Sequence, residues 1–178
     1  MTTDDPRYPL GPFQAPDRAL SETERAALLG QLEEAPGQLR RAVAELGAEQ
    51  LATPYRPRGW TLRQVAHHVP DSHLNAYVRF RLALTEDQPT VKPYAEDRWA
   101  ELWDAKSAEV SLSLDLLEAV HRRWVLLLRT LTPAEWRRSL RHPEQGLVDL
   151  ERTLALYAWH GRHHVAQITA LRQRRGWA

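Results

Sequence analysis

Toward its C-terminal end the chain reads Leu154-Ala155-Leu156-Tyr157-Ala158-Trp159-His160-Gly161-Arg162-His163-His164-Val165, with His160 and His164 four residues apart. On a helix, positions i and i+4 lie one above the other on the same face. Both histidines fall along the stripe through Leu150, Leu154, Tyr157, Val165, Ile168 and Leu171, the side a bundle helix turns inward. This pair constrains the fold more than any other feature, because the helices packed against this one must satisfy two inward imidazoles or use them. A single inward histidine is ordinarily a satisfied core residue. Two of them one turn apart can bind one transition-metal ion through neutral imidazole nitrogen, and core packing is the alternative.

A third ligand has one other dense source, Gln64-Val65-Ala66-His67-His68-Val69-Pro70-Asp71-Ser72-His73. This segment also reads as helix and supplies three histidines far away in sequence, hence from a different helix. Three protein ligands leave coordination positions open, the mark of a catalytic rather than a structural metal site.

At 178 residues the chain can bury a real core, and one domain over 1–178 is expected, with residues 1–18 as an irregular arm. The formal charge of +1 argues against a dedicated nucleic-acid binder. Cysteine is absent, so disulfides, thiolate ligands and a cysteine nucleophile are excluded. No stretch has the length and apolarity of a membrane span, and no signal pattern opens the chain, so a cytoplasmic location without membrane contact is the expectation.

In chain order, residues 4–16 are proline-rich and could lie as an extended arm over the body. Ser21 to Glu24 forms a capping box, and the helix it opens carries Leu28, Leu32, Ala35, Leu39, Val43 and Leu46, with Pro36 expected to kink it. Thr61 to Gln64 is a second capping box, opening the histidine-rich helix that continues through Tyr77, Phe80 and Leu84. Pro70 lies inside that helix and removes one backbone hydrogen bond; it is either tolerated or shapes the site. Residues 86–105 form a long connection holding Trp99 and Trp103, functional or merely anchored by its aromatics. A third long helix follows on Leu112, Leu116, Val120, Trp124, Leu127 and Leu131, then a short one capped by Thr132 with Pro133 at its first position. Residues 139–148 read as a short hairpin or a loop, and Asp149 caps the last long helix, which ends near Gly176. The fold class is all-α: a four-helix bundle with long inter-helix connections, whose metal sites are built from inward side chains of facing helices.

The run Trp60-Thr61-Leu62-Arg63-Gln64-Val65-Ala66-His67-His68-Val69-Pro70-Asp71-Ser72-His73-Leu74-Asn75, with Tyr157-Ala158-Trp159-His160-Gly161-Arg162-His163-His164-Val165-Ala166, resembles the YfiT branch of the DinB-like superfamily. The resemblance extends over nearly the whole chain. It implies an up-down-down-up bundle, a homodimer, and one zinc or nickel ion per subunit held by His68, His160 and His164. Members are described as metal-dependent hydrolases, and some relatives as S-transferases using bacillithiol or a similar low-molecular-weight thiol. Periodicity alone does not choose His68 over His67; the choice rests on the family motif, and His73 is the rival. His163 falls off the inner face and reads as solvated or as support for a ligand. His121 and His142 have no metal-spaced partner nearby.

A divalent ion on three neutral imidazoles can lower the pKa of bound water to about 7, for hydrolysis, or hold a substrate thiol as thiolate, for transfer. Asp71 and Gln64, about one turn from His68, are candidate proton-handling groups, or else solvated helix residues. A non-catalytic metal- or ligand-binding bundle acting in a stress response is the alternative to an enzyme. Metal occupancy should fall below about pH 6.5, the ordinary histidine value. Trp99, Trp103 and Trp177 add aromatic surface beyond what one small bundle needs, so a dimeric mass is expected by light scattering at micromolar concentration; a monomeric mass contradicts it.

Overall fold

Ser21 accepts the Glu24 N–H and Glu24 accepts the Ser21 N–H, closing the box that starts α1 (Glu22–Val43). Thr61 and Gln64 repeat the arrangement at the start of α3 (Leu62–Thr85), beyond the single turn α2 (Ala48–Leu51). After two short helices, α4 (Glu96–Trp99) and α5 (Trp103–Ser107), comes α6 (Val110–Leu128). The Thr132 box opens α7 (Pro133–Trp136) with Pro133 at its first position. Asp149 caps α8 (Leu150–Arg175), and Gly176 closes it with φ 64°, the left-handed conformation that glycine adopts without strain. These assignments come from a computed structural model that describes residues 5–177. The outer part of the expected arm, residues 1–4, and residue 178 lie outside the described residues.

The four long helices run up-down-down-up. Arg25 pairs with Glu151 at 2.6 Å near the starts of α1 and α8, and Arg172 donates to the Ala42 and Ala44 carbonyls near their ends, so these two helices are parallel. His67 meets Ser113 and His73 meets His121, which makes α3 and α6 parallel. Arg40 pairs with Asp115, and Arg129 with Glu33, so α1 and α6 are antiparallel. Parallel order explains the long connection between α3 and α6. A chain leaving the 24-residue α3 must travel back roughly 36 Å before α6 can begin. Between α7 and α8, residues 139–149 form a hairpin, with β1 (Ser139–His142) and β2 (Gly146–Asp149) antiparallel and Ser139 opposite Asp149. Among the described residues, no helix is long and apolar enough to cross a membrane.

α1 and α3 are continuous through Pro36 and Pro70. Each proline removes one helical donor and leaves the carbonyl four residues earlier without its usual partner.

The apolar core has two parts. One gathers Leu32, Phe80, Trp124, Leu128, Leu150 and Leu154; the other gathers Leu39, Leu62, Val65, Leu117, Ile168 and Leu171. The inward histidines of α3, α6 and α8 lie at the level between them. At this level α1 and α8 approach so closely that a side chain at Gly161 would come within 3.3 Å of Ala35 Cβ and 3.5 Å of His73. Phe80 is fully buried against Trp124, with ring centroids 5.2 Å apart. Phe80→Ala should therefore cost about 3–5 kcal/mol, read from urea denaturation of the metal-free protein; a loss below about 1 kcal/mol would place Phe80 outside the core.

Candidate metal centre

His68 from α3 and His160 and His164 from α8 each present one ring nitrogen to a common point, the candidate ligand atoms all lying within 4.8 Å of one another. His160 Nε2 lies 3.3 Å from His68 Nε2 and 3.2 Å from His164 Nε2. An ion with bonds of about 2.0–2.1 Å to tetrahedral nitrogen donors spaces them by about 3.3 Å. Two of the three spacings match that value and the third lies within 4.8 Å, a donor set suited to a borderline divalent ion that takes imidazole.

Each ring is held from behind. His164 Nδ1 contacts Gln167 Oε1 at 2.9 Å, and Gln167 Nε2 donates to the Arg7 carbonyl at 3.0 Å. The same amide nitrogen lies 3.0 Å from His163 Nε2. His160 Nδ1 lies 3.1 Å from His73 Nε2. Trp60 packs against His68, with ring centroids 4.7 Å apart.

The three nitrogens face an open cavity of about 660 Å³. Ser72, Tyr94 and Tyr157 stand in its wall beside the histidines, and Arg7, Arg56, Arg58 and Arg79 bring positive charge to it, against Glu96, Asp97 and Glu144. The arm closes one side, with Tyr8 near His163 and Phe13 near Trp159.

Burial sets the charge state of the cluster. Desolvation pushes His68 down to about 4, with the neighbouring His163 adding to the effect. His160 and His164 go well below the ordinary range, first through desolvation and then through the imidazoles around them. His160 is open to the cavity at one edge but enclosed by rings on its other sides. All three are therefore neutral at pH 7, the form that binds a metal. Desolvation also raises the Tyr94 and Tyr157 hydroxyls above their ordinary values, so both remain proton donors.

The other sequence candidates separate cleanly. His67, one residue from His68, turns to α6, where Nδ1 meets Ser113 Oγ at 2.7 Å. His73 does not join the three ligand atoms; it stands behind His160 with both ring nitrogens engaged. Gln64 is buried, neither solvated nor in the cavity wall, because its amide caps α3 and donates to the Ala100 carbonyl. Asp71 also lies outside the cavity wall; burial and then Asp104 raise it to about 6. His163 is not solvated. It is buried, stacked on Trp159 and backed by Gln167, because the arm covers it. His121, which has no metal-spaced partner in sequence, contacts His73 at 2.8 Å. Sequence reasoning missed Gln167 and Tyr157 as parts of the site. Gln167 lies seven residues after His160, two turns along the same helical face, which is the signal that could have found it.

The DinB superfamily family model matches residues 31–168. A Bacillus mycoides protein, named provisionally as a metal-dependent hydrolase, is 49% identical over 173 residues, covering 97% of this chain and 99% of its own length. A Bacillus thuringiensis protein with the same provisional name matches equally well. Among solved structures, Bacillus subtilis YfiT, described provisionally as a metal-dependent hydrolase with an unusual four-helix-bundle topology, superposes with a TM-score of 0.95 at 46% identity. That match covers 97% of this chain and 99% of YfiT. The four-helix bundle protein TT2238 superposes at 0.58 with 23% identity over 82% of this chain and 98% of its own, which speaks to fold alone.

The lowered histidines fix a pH dependence. An unfolded histidine titrates near 6.5, whereas His68 titrates at about 4 and His160 and His164 lower than usual. In that window the unfolded chain binds more protons, so stability is full above about 6.5 and drains as pH falls toward about 4. Urea midpoints of the metal-free protein should drop between pH 7.5 and 5, and equal midpoints would contradict the buried neutral cluster. For an ion held by these rings, proton competition would set in at a lower pH than the value of about 6.5 expected from an ordinary histidine.

Proposed function

This chain belongs to the DinB superfamily, and from that membership we propose that it is a metal-dependent hydrolase whose divalent ion is held by His68, His160 and His164. The observation that carries the reading is three neutral Nε2 atoms converging at the floor of an open cavity. The provisional names of the close relatives support it. An ion held there supplies Lewis acidity at neutral pH, enough to activate water or a thiol.

The chain's own groups do the rest. Tyr157 and Tyr94, kept protonated by burial, interact with Ser72 and can donate to negative charge that develops on a substrate oxygen. Arg79 also bonds Tyr157 and orients its hydroxyl. The arginines favour an anionic small-molecule substrate over a neutral one. That charge also suits a carboxylate-bearing thiol such as bacillithiol, so thiol transfer is the second reading; the thiol would come from the substrate, since the chain has no cysteine. The open cavity favours an enzyme over a closed, non-catalytic binding bundle, and zinc and nickel both suit the donor set. A homodimer remains our proposal, supported by the exposed apolar side chains of Trp103, at 75% exposure, and of Leu74 and Val78 on α3.

His68→Ala, His160→Ala and His164→Ala should each abolish tight zinc binding in competition with a chromophoric chelator, while His67→Ala keeps it. His68→Ala with wild-type zinc affinity would sink the ligand set. Tyr157→Phe should keep the ion and lower kcat by about 10²-fold, in ester hydrolysis or in conjugation of a thiol to a chlorinated aromatic acceptor. Whichever assay responds to both the histidine and the tyrosine variants identifies the reaction.

A further inference from the structure

Behind His160 runs a file of buried side chains that ends on the backbone of α1. His160 Nδ1 lies 3.1 Å from His73 Nε2, His73 Nδ1 lies 2.8 Å from His121 Nε2, and His121 Nδ1 lies 2.6 Å from the Leu32 carbonyl oxygen. His73 and His121 are 0% and 1% exposed, so the middle of the file is enclosed by protein. Its outer end is available because of Pro36. A residue with an N–H at position 36 would donate it to the carbonyl four residues back, which is Leu32; proline has none.

We propose that the Leu32 carbonyl, left free by Pro36, dictates the tautomer of His160 through His121 and His73, so that His160 Nε2 faces the site as a bare lone pair. A carbonyl oxygen can only accept, so the proton between Leu32 and His121 is on His121 Nδ1. A neutral imidazole has one N–H, which leaves His121 Nε2 as an acceptor and requires the His73 proton on Nδ1. By the same step His73 Nε2 accepts, and the His160 proton is on Nδ1. The file has one direction, and its inner end is the nitrogen that converges with His68 and His164. Without the carbonyl, the opposite direction would be equally satisfied internally and would put a proton on His160 Nε2, blocking it as a ligand. His164 is treated the same way at shorter range: the Arg7 carbonyl fixes the Gln167 amide, whose Oε1 then accepts from His164 Nδ1. His73 and His121 are thus positioning residues, and this role rests on the reading of the cluster as a metal site.

The test begins on the metal-free, ¹⁵N-labelled wild type, with long-range ¹H–¹⁵N correlations of the imidazoles at pH 7. Protonated Nδ1 and unprotonated Nε2 are expected for His160, His73 and His121 alike. His160 found with its proton on Nε2 overturns the proposal, whatever metal the protein binds. His121→Phe removes the link to the carbonyl; a mixture of His73 and His160 tautomers and a 10–100-fold loss of zinc affinity are expected. His121→Gln should restore both, because its Nε2 can donate to Leu32 while its Oε1 accepts from His73. A folded His121→Phe protein with the wild-type His160 tautomer and affinity also overturns the proposal. A wild type with the expected tautomers but no tight zinc binding supports the direction of the file and refutes the metal reading, so the two failures are distinguishable.

Discussion

The bundle depends on keeping a layer of imidazoles neutral and bonded inside a core that is otherwise apolar. His68, His73, His121, His160 and His164 interrupt the hydrophobic packing between the cluster around Trp124 and the cluster around Leu62. A buried polar group without a partner costs about 1–3 kcal/mol, so such a layer survives only if its N–H groups find acceptors. In this layer the acceptors behind His160 and His164 trace back to two backbone carbonyls, Leu32 and Arg7. Neither carbonyl belongs to the helices that supply the three converging nitrogens.

This requirement reaches into the chain's topology. α3 and α6 must be parallel and in register for His73 to meet His121, and parallel succession forces the long return through α4 and α5. α1 must bring Leu32 to the same level, which its antiparallel packing on α6 does, and the close approach at Gly161 brings α8 to it as well. The arm must cross α8 for Arg7 to reach Gln167. The cavity then opens beside the layer, lined by tyrosines that burial keeps protonated and by arginines and carboxylates.

Much of this was legible in the sequence because it is local. Ser21, Thr61, Thr132 and Asp149 announce helix starts through side-chain bonds three residues long, and all four cap as read. The pairing of His160 with His164 needs only the helical repeat. Bringing His68 to them needed the family motif, since spacing left His67 and His73 open, and only the packing of α3 between two neighbours separates the three. What stayed hidden depends on register between helices distant in sequence. His121 looked isolated because its partner is 48 residues away, and His163 looked solvated because the arm that buries it begins more than 140 residues earlier. Gln64 lies one turn from His68 but is consumed by its own helix cap and by the α4–α5 return. Pro36 was readable as a helix perturbation, but the carbonyl it frees gains meaning only once α6 is packed against it.

A catalytic metal centre here requires that three imidazoles hold an ion and leave part of its coordination sphere open. X-ray absorption at the metal edge of the zinc-loaded protein measures this directly. Three imidazole nitrogens at about 2.0–2.1 Å are expected, with the remaining coordination from one or two light scatterers that an added thiol or anion replaces. Four imidazoles in a closed shell that no added ligand alters, or a shell with fewer than three, would contradict it.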